Sequence, residues 1–262
     1  MVTRTKLTVV AAPTVPAVYY LGVDLAWGQR GPTGLAALDA TGTLCHLGVA
    51  GGDDDILDQL RTYAAGDCVV AIDAPLVVTN PSGNRPCEAA LNRDFRRFDA
   101  GAHPANTGLA WFADGGRGAR LCARLSLDLD PRSTAGRRAL EVYPHAASVV
   151  LFGLDKTLKY KQKRGRDLPG LQSELLRLIG FLEDLQSATP ALRLGSQSWT
   201  TLTDTVRTAT SKAQLRRAED PIDAVLCAYI ARYAAERPAD VTIYGDTATG
   251  CIVTPALPVI SD

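Results

Sequence analysis

What most restricts the fold of this chain is where it places its acids. Asp24 closes the apolar run VYYLGVDLAW, and Asp73 closes a second, CVVAIDAPL. Glu141 lies within a third, ALEVYPH, while Asp220 and Asp223 open a late helical stretch, DPIDAVLCAYIARYAAE. A carboxylate taken out of water must be paired, hydrogen-bonded or set on a cation. Few basic residues stand beside these acids in the sequence to neutralise them. Repeating the choice on three strands and a helix therefore predicts one shared site. Hard cations such as Mg²⁺ and Mn²⁺ take oxygen ligands, so the cluster reads as a metal centre.

The order of elements says where that centre would lie. Residues 18–26 read as a buried strand, followed by strands at 34–40 and 43–49 with the turn pair Thr41-Gly42 between them. Three consecutive strands of this kind predict an antiparallel meander. DDDILDQLRTYAA (53–65) has acids in its first turn and apolar residues at helical spacing. CVVAID (68–73) is a continuous apolar run, as in a strand buried on both faces. A helical crossover then returns this fourth strand parallel to the first, on the edge the meander left open. Asp24 and Asp73 would lie side by side at the carboxyl ends of their strands, where open α/β sheets place ligands.

The rest of the chain reads as one domain over 18–258 preceded by a flexible tail at 1–17, with an insertion at about 74–135 over the carboxylate end. Within the insertion, residues 87–98 form a helix, and GAHPANTGLAWFADGGRGAR shows no periodicity. A strand follows at 137–144, then a basic loop LKYKQKRGR (158–166) and a helix at 168–186. A helix starting at Pro221 runs to about Glu236, and 241–245 with 250–255 make a closing hairpin.

Composition narrows the classes. The formal net charge is 0, so attraction to a polyanion must come from local patches rather than from the whole-protein field. No stretch reaches the roughly 20 apolar residues that span a bilayer. The start MVTRTKLTVVAAPTVPAV has a basic end and an apolar middle, but Pro13 and Pro16 interrupt it, against a secretion signal. The six cysteines are dispersed with no CxxC pair, which fits reduced thiols and a cytoplasmic protein.

Several segments together resemble a known family. GVDLAWG, IDAPL, RPCEAALNR, EVYPH, DPIDAVLCAYIA and GCIVTP occur in this order from about residue 19 to 255. The pattern is similar to domain-of-unknown-function family 429, a set of predicted nucleases of the RNase H-like superfamily. The resemblance implies an α/β, RNase H-like fold: a mixed central sheet, three antiparallel strands plus parallel ones, with helices on both faces. It also implies an acidic site of Asp24, Asp73 and a carboxylate on the last helix. Holliday-junction resolvases of the RuvC type carry a similar D-x-x-D-A, matched here by Asp220, Asp223 and Ala224.

The expected activity is metal-dependent hydrolysis of a phosphodiester with two Mg²⁺ or Mn²⁺ ions about 4 Å apart. Asp24, Asp73, Asp220 and Asp223 are the candidate ligands, and Asp24, Asp73, Glu141 and Asp223 the candidate catalytic residues. Each acid also has a plainer reading. Asp24 can cap a turn, Asp73 can form an Asx turn before Ala74-Pro75, and Glu141 can pair with Arg137, Arg138 or a histidine. Asp220 suits an N-cap, with Pro221 at the first helical position and Asp223 closing a capping box. Substrate phosphates would meet Arg85, Arg93, Arg96 and Arg97 on one side. On the other would stand Lys159, Lys161, Lys163, Arg164 and Arg166 with Tyr160 interleaved, and His145 is placed to orient a water or a phosphate. The partner is then a nucleic acid, DNA or RNA, with no membrane. Two other readings stand beside this one. A scaffold that lost its chemistry would keep its acids paired internally. An actin- or sugar-kinase-type phosphotransferase would need two lobes and two phosphate loops, where GVDLAWGQRGPTG supplies one.

Overall fold

The apolar runs assemble into a mixed five-stranded sheet whose order follows from the order of elements. The computed structural model describes residues 18–28 and 31–258. The expectations for a tail or signal at 1–17 lie outside these residues. Strands β1 (Tyr19–Asp24), β2 (Thr33–Leu38) and β3 (Leu44–Ala50) form the antiparallel meander. Helix α1 (Asp53–Leu60) crosses over to β4 (Cys68–Ile72), which pairs parallel to β1, and β5 (Arg137–Glu141) pairs parallel to β4. The spatial order is β3-β2-β1-β4-β5.

Between β4 and β5 lie α2 (Pro86–Phe95) and α3 (Gly116–Arg124). The glycine-rich stretch that shows no periodicity thus ends in α3. Leu121 and Cys122 of α3 share a core with Ile56 and Leu60 of α1 against one face of the sheet. After β5 come α4 (Pro144–Leu151), α5 (Leu168–Asp184), α6 (Gln197–Arg207) and α7 (Lys212–Glu236). The hairpin of β6 (Val241–Asp246) and β7 (Gly250–Pro255) closes the described chain. Strand β5 ends three residues before Pro144, because that proline opens α4 at a position where its missing N–H costs nothing.

Helix α7 decides the architecture. It starts at Lys212, capped by Ser211 and Gln214 in a reciprocal capping box, and Pro221 lies inside it. The expected start at Pro221, with Asp220 as its N-cap and Asp223 completing a capping box, is therefore corrected. Proline in a helix interior forfeits one backbone hydrogen bond, and burial on all sides compensates here. Residues from Ala218 to Ala231 of α7 are all buried. One side meets β1, β2 and β4, and the other meets α4, α5 and α6. A helix apolar around its whole circumference must be sandwiched in this way.

Two glycines permit the close approach. A Cβ on Gly22 of β1 would lie 1.9 Å from the Ala224 carbonyl oxygen, and one on Gly34 of β2 would lie 1.9 Å from that of Asp220. Real carbon atoms do not come so near, so any side chain at either position lifts α7 from the sheet. Gly34→Ala is expected to cost about 3 kcal/mol in urea unfolding, as overpacking of a tight interior does. Gly180→Ala is the control: it lies inside α5 with open space around a built Cβ, and alanine there is expected to gain about 0.5–1 kcal/mol.

Candidate active site

Strand periodicity sets which acids meet. In β1, Tyr20 belongs to the core on the α7 face, and Leu21 and Val23 belong to the opposite one. Asp24 shares the parity of Tyr20 and Gly22, so it faces α7. In β4 the α7-facing residues are Val69 and Ala71, which sends Asp73 to the same side. The Asp73 amide donates to the Val23 carbonyl (2.9 Å), extending the parallel ladder and setting Asp73 next to Asp24. Glu219, Asp220 and Asp223 of α7 arrive from above, all buried.

Glu141 is turned the other way. It shares the parity of Ala139, whose side chain lies in the core on the far face. Its carboxylate accepts hydrogen bonds from the Leu76 amide (2.8 Å) and from Nη1 of Arg85 (2.9 Å). Arg85 also bonds Glu88 through Nε (2.8 Å), and its side chain is 1% exposed. Glu141 and Asp73 border a common cavity of about 50 Å³, yet the Glu141 oxygens are already engaged by a buried cation. Its partner is Arg85 rather than Arg137 or Arg138, and Arg85, sealed between two glutamates, has no face toward a substrate. Basic partners are thus supplied by tertiary contact although few flank the acids in sequence.

The second such partner is Lys161, from the basic loop. Its Nζ contacts Asp223 Oδ2 and lies 3.6 Å from Asp24 Oδ2 and 4.0 Å from Asp220 Oδ1. The Tyr160 hydroxyl donates to Asp223 Oδ1 (2.7 Å). Arg216, one turn before Asp220 on α7, holds the Asp220 carboxylate and reaches Glu219 at 3.4 Å. Sequence reasoning passed over Glu219 and Arg216. The signal was the segment RRAEDPID itself, in which Arg216 and Asp220 sit four apart on one helical face.

Five carboxylates thus face two cations, Lys161 and Arg216. Burial raises the Asp24 carboxyl to about 7, Lys161 pulling it down and Asp223 and Asp220 pushing it further up. Burial, then Asp24, raises Asp73 well above the usual carboxylate range. Burial also lifts Glu219 to about 7. Lys161 is pushed down by burial, but Asp223, Asp24 and Asp220 outweigh this and hold it firmly protonated. Asp24 Oδ2 is buried without a hydrogen-bond partner.

Asp24 and Asp73 form the floor of an open cleft of about 710 Å³, and the α7 acids lie behind them. Lys159, Lys163, Arg166 and Arg96 line it, as do His103, His145 and Trp27. His145 bonds Thr157 through Nδ1 (3.2 Å), and burial lowers it to about 4, so the ring is neutral near pH 7. Trp27 stands edge-on to the exposed Trp111, ring centroids 6.1 Å apart. Arg93 and Arg164 are exposed and line no part of the cleft. Of the expected phosphate contacts, Lys159, Lys163, Arg166, Arg96 and His145 are on the cleft wall and Lys161 points into the acids.

The fit of a hard divalent cation can be judged from these groups. The donors are all carboxylate oxygens, one of them is buried without a hydrogen-bond partner, and negative charge exceeds positive. In chemistry the set fits Mg²⁺ or Mn²⁺. In geometry the Lys161 ammonium stands among the oxygens, and among the described residues no three acidic, histidine or cysteine side chains are drawn together as a ligand set.

Two outcomes are expected. Folded Asp24 and Glu219 hold their protons more tightly than in the unfolded chain, where they titrate near 3.8 and 4.5. Stability from this source is complete below those values and is lost as pH rises through about 7. Melting in EDTA should show Tm falling from about pH 5 to about pH 7 and levelling off above it, with a smaller fall in Asp24→Asn. Arg85→Met, which strands Glu88 and Glu141, is expected to cost about 3–5 kcal/mol in denaturant unfolding.

No curated protein and no solved structure matches this chain. The profile described as Protein of unknown function (DUF429) matches residues 22–248, from within β1 to just past β6, and takes in every site residue above. The chain belongs to the DUF429 family.

Proposed function

We propose that this protein is a metal-dependent nuclease that hydrolyses phosphodiester bonds on an RNase H-like fold. The observation that carries the reading is a surplus of buried carboxylates at and behind the floor of a cleft whose walls are basic, Asp24 and Asp73 lining it and Glu219, Asp220 and Asp223 backing them. An acidic floor attracts cations, and a basic wall attracts phosphate. A site that must hold both a divalent metal and a phosphodiester needs the two together. The mixed sheet, its antiparallel meander and its helices on both faces support the fold assignment.

Asp24, Asp73, Asp223 and Asp220 would hold Mg²⁺ or Mn²⁺, with Glu219 adding charge behind them. When bound, such ions lower the pKa of water and neutralise charge on phosphoryl oxygens. Lys159, Lys163, Arg166 and Arg96 bind the phosphates on either side of the scissile bond. Neutral His145, its Nδ1 engaged with Thr157, keeps a second ring nitrogen to orient a water or a phosphate oxygen. Trp27 and Trp111 offer ring surface on which a base can stack.

One observation favours a second reading, a binding protein without chemistry. Asp220 and Asp223 already have ionic partners in Arg216 and Lys161, as a retired site would. Asp24 and Asp73 separate the two readings, since neither carboxylate is neutralised in proportion to its burial. A phosphotransferase of the actin or sugar-kinase type would need a second lobe, and the described residues hold one five-stranded sheet and one hairpin.

Calorimetric titration of Mn²⁺ into the wild type and an Asp24→Asn/Asp73→Asn double variant tests the proposal. Binding by the wild type, lost in the variant, is expected, followed by Mn²⁺-dependent cleavage in a panel of branched, single- and double-stranded DNA and RNA. Mn²⁺ at about 100 times its Kd should stabilise the wild type by about 2.7 kcal/mol. A wild type that binds no Mn²⁺ even with nucleic acid present would sink the nuclease reading and leave the binding protein.

A further inference from the structure

Lys161 occupies a place that the carboxylates would otherwise offer to a metal. Its Nζ lies within 4.0 Å of oxygens from Asp24 of β1 and from Asp220 and Asp223 of α7. Its side chain is nevertheless 29% exposed and lines the cleft. It therefore bridges two environments, the acidic floor and the basic wall formed by Lys159, Lys163 and Arg166.

The loop carrying Lys161 is held by bonds that do not involve its ammonium. Tyr160 is anchored on Asp223, and the Lys159 amide donates to Glu174 Oε2 (2.8 Å). Arg166 spans the bend, donating to the carbonyls of Lys159 (3.1 Å) and Lys161 (2.6 Å). Lys212 of α7 holds the Arg166 carbonyl. With the backbone so fixed, the flexible four-carbon stem of Lys161 can turn without unfolding the loop. An ammonium is a compact point charge with no geometric demand, so it is exchangeable for another cation in a way that the two-pronged Arg85 on Glu141 is not.

We infer that Lys161 is an exchangeable counter-ion, seated on Asp24, Asp220 and Asp223 in the free protein and transferred to substrate phosphate when a divalent cation takes those carboxylates. This rests on the metal-centre reading above. Two cations compete for one set of oxygens, and phosphate gives the displaced ammonium a new partner. Divalent metal and polyanion then bind cooperatively, each strengthening the other by the same factor. The free protein is kept from loading metal firmly until a substrate is in the cleft.

The test is Mn²⁺ affinity by calorimetry for the wild type, Lys161→Gln and Lys161→Arg, each with and without a short phosphorothioate oligonucleotide, whose own Mn²⁺ binding is subtracted. Lys161→Gln is expected to bind Mn²⁺ roughly tenfold tighter than the wild type when no oligonucleotide is present. The oligonucleotide should tighten Mn²⁺ binding to the wild type, less so to Lys161→Arg, whose two-pronged guanidinium gives up carboxylates less readily, and not to Lys161→Gln. A merely structural lysine would give the opposite, a folded Gln variant with equal or weaker Mn²⁺ binding, and that result overturns the inference. So does a wild type whose Mn²⁺ affinity ignores the oligonucleotide, an arm that stands even where Lys161→Gln does not fold. Absence of Mn²⁺ binding in all three proteins, with and without oligonucleotide, overturns the metal-centre reading beneath it.

Discussion

The seating of α7 on the sheet at Gly22 and Gly34 is the contact on which everything else depends. It lets a helix backbone rest directly on two strands, with no layer of side chains between. That distance brings Glu219, Asp220 and Asp223 down to Asp24 and Asp73, and it buries all of them at once. The same seating explains why a proline can sit inside α7, since a helix clamped by a sheet on one side and three helices on the other does not depend on one backbone hydrogen bond.

Two kinds of buried charge stand a short way apart and differ in design. Arg85 is clasped by Glu88 and Glu141 with directional, two-pronged bonds, and the loop leading into α2 is tied to β5 through it. That group, one cation to two acids, gives every carboxylate oxygen a hydrogen bond and joins parts of the fold. Around Asp24 the charges do not balance. Two cations face five acids, and the carboxyls of Asp24, Asp73 and Glu219 are all raised by burial. A fold selected for stability alone would not keep such a surplus, because each unpaired carboxylate opposes folding near neutral pH. The imbalance is what supports the proposed cation site at this end of the sheet.

The meander, the crossover and the parallel return of β4 could be read from runs and turns, because strand parity and short connections leave few alternatives. Asp24 and Asp73 were legible for the same reason, as acids closing buried strands. Glu141 was not, since one residue of register sends a strand side chain to the opposite face, and an apolar run by itself does not say which face is which. Helix α3 was hidden by its glycines, and the start of α7 by Pro221, which resembles a helix opening when viewed along the chain.

By itself, the sequence determined the order of the first four strands and placed two carboxylates side by side, because local periodicity and chain connectivity are one-dimensional facts. Only the tertiary structure decided who neutralises whom. Lys161 lies 137 residues after Asp24 and 62 before Asp223, and Arg85 lies 56 residues before Glu141. Charge pairing depends on distance through space, which falls off within a few ångströms, and no spacing along the chain encodes it.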